Sequence, residues 1–252
     1  MSIQIANRVA ASATGGDSKK PFEEVVPQYA EMGFKKFELY AVGRGSSPVY
    51  EKGPAYYQDM ADNLGLTYSS FHLPAIDFYN DDSYQSAKAW AAFANVLNIP
   101  VCVFNAVQKD KYAMLISRFA AETESLKAVY VVQIHEGRSI ETLEEVQDVL
   151  AKANHPKVKV LHEIGSYHAK GVTWQKVIDI FGQDIALVHL KDMVGRQSVP
   201  FGTGEIDMPA LFTSLEKTGY QGDFVVEMDP VDRSNTHLYI GSALNYVRNL
   251  KD

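Results

Sequence analysis

The sequence is poor in cysteine and in long apolar runs. Cys102 is the only cysteine among the 252 residues, so an internal disulfide is excluded and a reducing compartment is expected. The longest apolar stretch, around residues 89 to 104, is broken by Asn95, Asn98 and Pro100. It does not reach the roughly 20 apolar residues of a membrane helix. Because the first residues also lack the basic start and apolar core of a secretory signal, we expect a cytoplasmic protein that does not contact a membrane.

Basic charge is also in deficit. The 24 lysines and arginines face 31 aspartates and glutamates, which gives a formal net charge of −7. A negative protein repels a phosphate backbone, so no nucleic-acid partner is expected. The sequence also lacks a P-loop, a dinucleotide fingerprint, a serine nucleophile elbow and a CxxC pair. These absences argue against the common nucleotide, serine-hydrolase and dithiol sites.

What the sequence does contain is a regular alternation of apolar, strand-length segments with amphipathic helical segments, eight of each. Each pair takes about 31 residues, the length of one βα unit with parallel strands. No linker-like segment divides the chain, so we predict an α/β fold, a single (β/α)8 TIM barrel over residues 1–252. The predicted strands are Ile3–Asn7, Lys36–Tyr40, Thr67–His72, Val101–Asn105, Tyr130–Glu136, Lys157–Glu163, Ala186–Lys191 and Asp223–Met228. The predicted helices are Phe22–Met32, Pro54–Leu64, Ser83–Leu97, Tyr112–Lys127, Leu143–Ala153, Trp174–Phe181, Met208–Thr218 and His237–Leu250.

A glycine- and serine-rich segment follows the second predicted strand. Ala41–Gly53 is the longest irregular stretch of the sequence. Loops at the carboxyl ends of barrel strands surround the active site in this architecture. We therefore predict that this loop is a lid.

Four consecutive predicted strands end in carboxylate or imidazole side chains. His189 and Glu227 end the last two strands, and His-Glu pairs end the two before them. The carboxyl ends of barrel strands meet on one rim, where catalytic residues lie. Four such side chains on one rim form a candidate set of metal ligands.

In each His-Glu pair, only one residue can face the barrel axis, because neighbouring strand residues point to opposite sides. The alternatives are His135 or Glu136, and His162 or Glu163. We predict that the two glutamates face inward, because carboxylates with one histidine suit Mn²⁺ or Mg²⁺, with Co²⁺ or Zn²⁺ as further candidates. A histidine-rich set would instead favour zinc. The predicted metal ligands are Glu136, Glu163, His189 and Glu227.

Three further residues are placed by sequence near the same rim. Glu38 ends the second predicted strand and His72 ends the third, so both are expected near the substrate. A structural role is equally common for a histidine such as His72, and for Glu38 an ion pair with arginine or lysine is more common than a catalytic role. Arg196 follows His189 closely, in a loop where a cation can bind a hydroxyl, carboxylate or phosphate group of a substrate.

Several of these motifs together resemble one known superfamily. They are His189–Asp192 with the sequence HLKD, Gly202–Asp207 with GTGEID, the turn Gly219–Gly222, Val226–Glu227, Phe37–Tyr40 and Phe71–Pro74. In this combination the chain resembles the xylose-isomerase-like sugar phosphate isomerase/epimerase superfamily. The resemblance implies an eight-stranded barrel and a metal set that falls by position on Glu136, Glu163, His189 and Glu227.

The chain departs from that superfamily in two motifs. His135-Glu136-Gly137 stands where members often have Glu-Asn-His, and Glu163-Ile-Gly-Ser166 stands where they often have Asp-Thr-Gly-His. Ser166 thus replaces a histidine that commonly contacts substrate, and His168 is the candidate to take its place. A changed substrate, a changed reaction or lost activity would each fit these departures.

The resemblance implies an isomerase or epimerase of a small sugar, sugar phosphate or polyol. A divalent ion would polarise the substrate carbonyl, and Glu136 and Glu227 would remove and return a proton through an enediolate. One alternative is a dehydratase of a keto-polyol such as a keto-inositol. Another is a non-catalytic sugar-binding barrel. Endonucleases of abasic DNA share the fold but use more His and Asp ligands. Assembly as a homo-oligomer is left open.

Overall fold

The computed structural model describes residues 5–13, 20–41 and 52–250. Eight parallel strands close into a barrel in the order β1-β10-β7-β6-β5-β4-β3-β2, which confirms the predicted fold. A short antiparallel hairpin, β8 and β9, lies outside the barrel after β7. The strands are β1 Val9–Ala11, β2 Lys36–Tyr40, β3 Thr67–His72, β4 Val101–Phe104, β5 Val129–Val132, β6 Val158–Glu163, β7 Ile185–Leu190, β8 Asp192–Val194, β9 Gln197–Val199 and β10 Phe224–Val226.

Helices follow the barrel strands and pack their apolar faces on the outside of the barrel. Four begin with side-chain caps, because Asn80, Thr142, Thr173 and Asp207 each accept a backbone N–H of the first turn. The helices are α1 Phe22–Glu31, α2 Pro54–Leu64, α3 Asp81–Val96, α4 Tyr112–Glu122, α5 Leu143–Ala153, α6 Ile164–Ala169, α7 Trp174–Phe181, α8 Met208–Lys217 and α9 Thr236–Arg248. In the described part of the chain, no helix is both long enough and apolar enough to cross a membrane.

The first strand lies later in the chain than predicted. It is Val9–Ala11, which pairs with Phe224–Val226, whereas the prediction was Ile3–Asn7. Ile5 is buried, but Arg8 donates its backbone N–H to the Ile5 carbonyl in a turn. The prediction failed because the isoleucines of this segment alternate in sequence as they would in a strand, whereas Ile5 packs on the core from a turn. The predicted lid is mostly outside the described residues, because 42–51 are not described.

The barrel axis is filled by a small apolar cluster with a polar layer above it. The apolar cluster consists of Ala10, Val101, Val103, Val131, Leu161, Leu187 and Val225. Because side chains alternate along a strand, residues two positions further along also face the axis. The corresponding positions are Ser12, Asn105, Gln133, Glu163, His189 and Glu227. All six are polar, so the interior changes from apolar to polar at the carboxyl end of the barrel.

The loop after β7 is tied together by a buried carboxylate. Asp192 accepts backbone N–H groups from Gly202 at 2.8 Å, Gly204 at 2.9 Å and Met193 at 3.0 Å. A side chain at Gly204 would bring its Cβ within 2.2 Å of Asp192 Oδ1, so only glycine fits there. This anchor fixes the base of the β8–β9 hairpin, which carries Arg196 at its tip.

Candidate metal centre

Three predicted ligands meet in the polar layer of the barrel. Nδ1 of His189 lies 2.9 Å from Oε2 of Glu163 and 3.3 Å from Oε2 of Glu227. All three side chains are almost completely buried. They come from the ends of β6, β7 and β10, which are neighbours in the barrel. Adjacent parallel strands thus bring together residues that are far apart in sequence.

The other side of the His189 ring is held by Glu38. Oε2 of Glu38 lies 3.0 Å from Nε2 of His189, and Ser70 donates its hydroxyl to the same oxygen at 2.7 Å. Tyr40 donates its hydroxyl to Oε1 of Glu38 at 3.0 Å. Glu38 therefore fixes the orientation of the imidazole and keeps a proton on Nε2, as carboxylates commonly do behind metal-binding histidines.

Nδ1 of His189 must therefore face two carboxylates. If Nε2 carries the proton, the Nδ1 lone pair points at Glu163 and Glu227, and this arrangement is repulsive unless a cation lies between them. Burial lowers the pKa of His189, but the carboxylates of Glu38 and Glu163 outweigh it and raise that pKa well above its usual value. The position between Nδ1 and the two carboxylates therefore holds either a proton or a metal ion.

The residues at this position fit a divalent cation. Two triads of ligand atoms have suitable spacing among the described residues: Glu38 with His72 and His189, and Glu163 with His189 and Glu227. The carboxylate of Glu38 already has three partners, whereas Oε1 of Glu163 is buried without a hydrogen bond. The second triad is thus the better candidate, with two carboxylates and one imidazole as donors.

Lys191 contributes a positive charge beside this triad. Its Nζ lies 3.4 Å from Oε2 of Glu227 and 3.2 Å from Oδ2 of Asp229. Burial lowers the pKa of the Lys191 ammonium, but the charges of Glu227, Glu163 and Asp229 more than compensate and raise it. Lys191 therefore stays charged and stabilises the ionised form of Glu227.

Glu136 does not lie with the other three predicted ligands. Strand β5 ends at Val132, and the backbone turns at His135, whose N–H bonds the Ile140 carbonyl. The turn carries Glu136 to the surface, where its side chain is 70% exposed and pairs with Arg196 at 2.6 Å. The expectation that four side chains converge is therefore corrected to three, because the strand is shorter than predicted.

Gln133 occupies the inward position after β5 instead. It is two residues beyond the inward-facing Val131, and its side-chain amide donates to Oε2 of Glu163 at 2.9 Å. At the end of β6 the inward residue is Glu163, as predicted. His162 faces the helices and packs against Tyr167, and burial lowers its pKa to about 3. Sequence reasoning missed Gln133, although two-residue periodicity from Val131 would have found it.

The remaining predicted residues, His72, His168 and Glu38, each have partners of their own. His72 stacks on Tyr40 with ring centroids 4.2 Å apart, and its Nε2 lies 3.3 Å from Glu38 without hydrogen-bond geometry. His168, on α6, pairs with Glu205 at 2.9 Å. Glu38 was expected to contact substrate, but the structure places it behind His189. Nothing in its sequence context distinguished these two places.

Comparison with known proteins identifies the family. A sequence model of the xylose isomerase-like TIM barrel matches residues 26–250. The chain belongs to this family. Within the described residues, the matched range contains the whole of the candidate metal centre.

Individual relatives of this xylose isomerase-like barrel match it more distantly. Inosose dehydratase of Geobacillus thermodenitrificans strain NG80-2 is 30% identical over 136 residues, 45% of this chain and 45% of that protein. L-ribulose-5-phosphate 3-epimerase UlaE of Salmonella paratyphi A is 28% identical over 97 residues, 38% of this chain and 34% of that protein. The matched segments span less than half of either relative.

A solved structure covers more of the chain. The IOLI protein with a bound zinc atom superposes with a TM-score of 0.76 at 13% identity, over 96% of this chain and 98% of that chain. At this identity the likeness shows the shared fold alone.

We expect metal binding to release a proton at neutral pH. The carboxylates around His189 raise its pKa and so favour a proton on Nδ1 when no ion is bound, and an ion must displace that proton, so affinity should increase as pH rises. Calorimetric titration in buffers with different heats of ionisation should give about one proton released per ion near pH 7. An affinity that does not change between about pH 6 and pH 8 would contradict this account of His189.

Replacing Glu38 should weaken metal binding without removing a ligand. Glu38→Gln removes the charge that holds Nε2–H of His189, so the metal dissociation constant should rise by about 10- to 100-fold. The matched control is Glu136→Gln, which removes the same charge from an exposed side chain and should leave affinity unchanged. An equal loss of metal affinity in the two folded variants would show that the net charge of the protein, and not the position of Glu38, determines affinity.

Proposed function

We propose that the protein is a divalent-metal-dependent isomerase or epimerase of a small sugar, sugar phosphate or related polyol. The observation that carries the proposal is the convergence of Glu163, His189 and Glu227 at one buried point of the rim. The relatives support the substrate class, since one is named for an inosose and another for L-ribulose 5-phosphate. We propose Mn²⁺ or Mg²⁺ as the ion, because two of three ligands are carboxylates, with Co²⁺ or Zn²⁺ as alternatives.

Each residue of the centre has a separate role in this proposal. Glu163 and His189 hold the ion, and Glu38 orients His189 from behind. The ion would supply Lewis-acid polarisation of a substrate carbonyl. Glu227 binds at the same point and also acts as the base that removes a proton from the carbon beside the carbonyl. Lys191, at 3.4 Å, keeps Glu227 ionised for this step.

The number of bases favours isomerisation over epimerisation. Glu136 is exposed and paired with Arg196, so the predicted second base is not at the centre. Gln133 faces the centre instead, and an amide cannot accept and return a proton near neutral pH. One carboxylate can take a proton from one carbon and return it to the neighbouring carbon on the same face. Epimerisation requires return on the opposite face, and the other carboxylate of the triad, Glu163, is assigned to the ion in this proposal.

Dehydration of a keto-polyol is the second candidate, and the pair of Lys191 and Glu227 favours it. Glu227 would remove the proton beside the carbonyl, and the electron pair of that C–H bond would form a C=C bond as the β C–O bond breaks. The Lys191 ammonium would protonate the departing hydroxide to water, and the proton on Glu227 would restore Lys191. The two groups are 3.4 Å apart, so a small shift of the Lys191 side chain would bring them within hydrogen-bond reach for that transfer.

Glu227→Gln should abolish turnover more completely than metal binding. The amide keeps an oxygen that can bind the ion but cannot serve as a base, and such groups contribute about 10² to 10⁴ in rate. The test is turnover of aldoses, ketoses, their phosphates and a keto-inositol by metal-loaded protein in D₂O, with deuterium in the product read by NMR.

The control for this prediction is Glu136→Gln, which should leave kcat at saturating substrate unchanged because Glu136 contacts none of the residues of the centre. Loss of activity in this control would restore Glu136 as a catalytic group. Metal binding without turnover of any compound in the panel would instead favour a non-catalytic sugar-binding barrel. Cleavage of an abasic DNA duplex would show that the protein is an endonuclease and not an enzyme of sugars.

A further inference from the structure

A cleft of about 310 Å³ opens on the rim next to the metal centre. Loops after β5, β6, β7 and β10 contribute to its walls, so it lies at the functional end of the barrel. Lys191 and Asp229 line it, and Lys191 reaches Glu227 of the triad. Lys191 thus belongs both to the wall of the cleft and to the surroundings of the centre.

The cleft carries positive charge in a negative protein. Four basic side chains line it, Lys170, Lys191, Arg196 and Arg233, against two acidic ones, Glu136 and Asp229. Formal counting gives four minus two, an excess of +2, whereas the chain as a whole has −7. This local reversal of sign creates an attractive field for an anion beside a site that is otherwise rich in carboxylates.

The excess charge comes from Lys170 and Arg233. Lys191 is paired with Glu227 and Asp229, and Arg196 is paired with Glu136. No ion pair is found for Lys170 or Arg233 with any other described residue. Lys170 follows α6 and Arg233 follows β10, so two separate loops bring these charges to one cleft. Both side chains are exposed and without an ion pair among the described residues, so both can bind an anion that enters this cleft.

Arg196 is available to the same ligand. Its pair with Glu136 is more than half exposed on both sides, and exposed pairs contribute only about 0 to 1 kcal/mol, so an anion with more charge can displace Glu136. Asp192 holds the base of the hairpin, which keeps Arg196 at the cleft mouth. Ser166, also in the wall, has a small side chain that leaves the cavity open.

We propose that this anion cleft, defined by Lys170, Arg196 and Arg233, binds a phosphoryl or carboxylate group of the substrate. Its place in catalysis rests on the proposed function, in which the carbonyl end of the substrate lies at the metal centre. Anion binding itself does not depend on metal or turnover. The substrate is accordingly an acidic sugar derivative, and a neutral sugar leaves the cleft without a partner.

Inorganic phosphate and acetate are the probes, titrated into the full-length metal-free protein so that neither can bind an ion. Binding is followed by calorimetry. Phosphate should bind saturably, and Lys170→Gln with Arg233→Gln should raise its dissociation constant about tenfold or more, because each charged contact is strong. The matched control is Lys176→Gln with Lys217→Gln, which removes the same charge from exposed positions outside the cleft. In this control the dissociation constant of phosphate should change less than about twofold.

Each outcome decides the proposal. Phosphate binding that depends on the cleft variant supports a phosphorylated substrate, and acetate binding with the same dependence supports a carboxylate. No saturable binding of either probe, or equal loss in the cleft and control variants, would overturn the anion cleft. Failure of metal binding with intact phosphate binding would overturn the proposed function alone, so the two failures are distinguishable.

Discussion

The contact between His189 and the carboxylates on both sides of its ring determines the rest of the site. Glu38 holds Nε2, and Nδ1 points at Glu163 and Glu227. The imidazole of His189 cannot rotate without losing these contacts, because each of its two nitrogens has different partners. Buried carboxylates are costly without partners, so this part of the barrel interior is stable only when a cation balances it.

Charge balance connects the metal centre to the cleft beside it. Glu38, Glu163 and Glu227 carry three negative charges in the barrel, and Lys191 offsets one of them. A divalent ion would offset the other two and leave His189 neutral. The outer cleft has the opposite excess, so a substrate that is electron-rich at its carbonyl end and anionic at the other end would meet complementary charge along its length.

Most of the fold follows from the sequence because the signal is repeated eight times. Strand and helix periodicity, and glycines such as Gly65 at a helix end, place most elements within a few residues of their observed bounds. Strand β1 was misplaced because the isoleucines near the start alternate like a strand. The hairpin β8–β9 and the short helix α6 were not predicted, since three- and six-residue elements carry little periodicity.

The candidate site was harder to predict, because one residue of error in a strand end reverses the face of a side chain. Glu163, His189 and Glu227 each lie two positions beyond an inward apolar residue, so their placement could be predicted. Glu136 failed this rule, since it is five positions beyond Val131 and outside β5. The pairing of Glu38 with His189 joins strands β2 and β7, and local sequence contains no signal for it.

The most direct test is a crystal of the protein soaked with Mn²⁺ and measured for anomalous scattering. The account predicts one strong peak bound by Glu163, His189 and Glu227, with ligand atoms about 2.0 to 2.3 Å away. A peak at Glu136, or between Glu38 and His72, would contradict it, as would no peak at a concentration that saturates calorimetric binding.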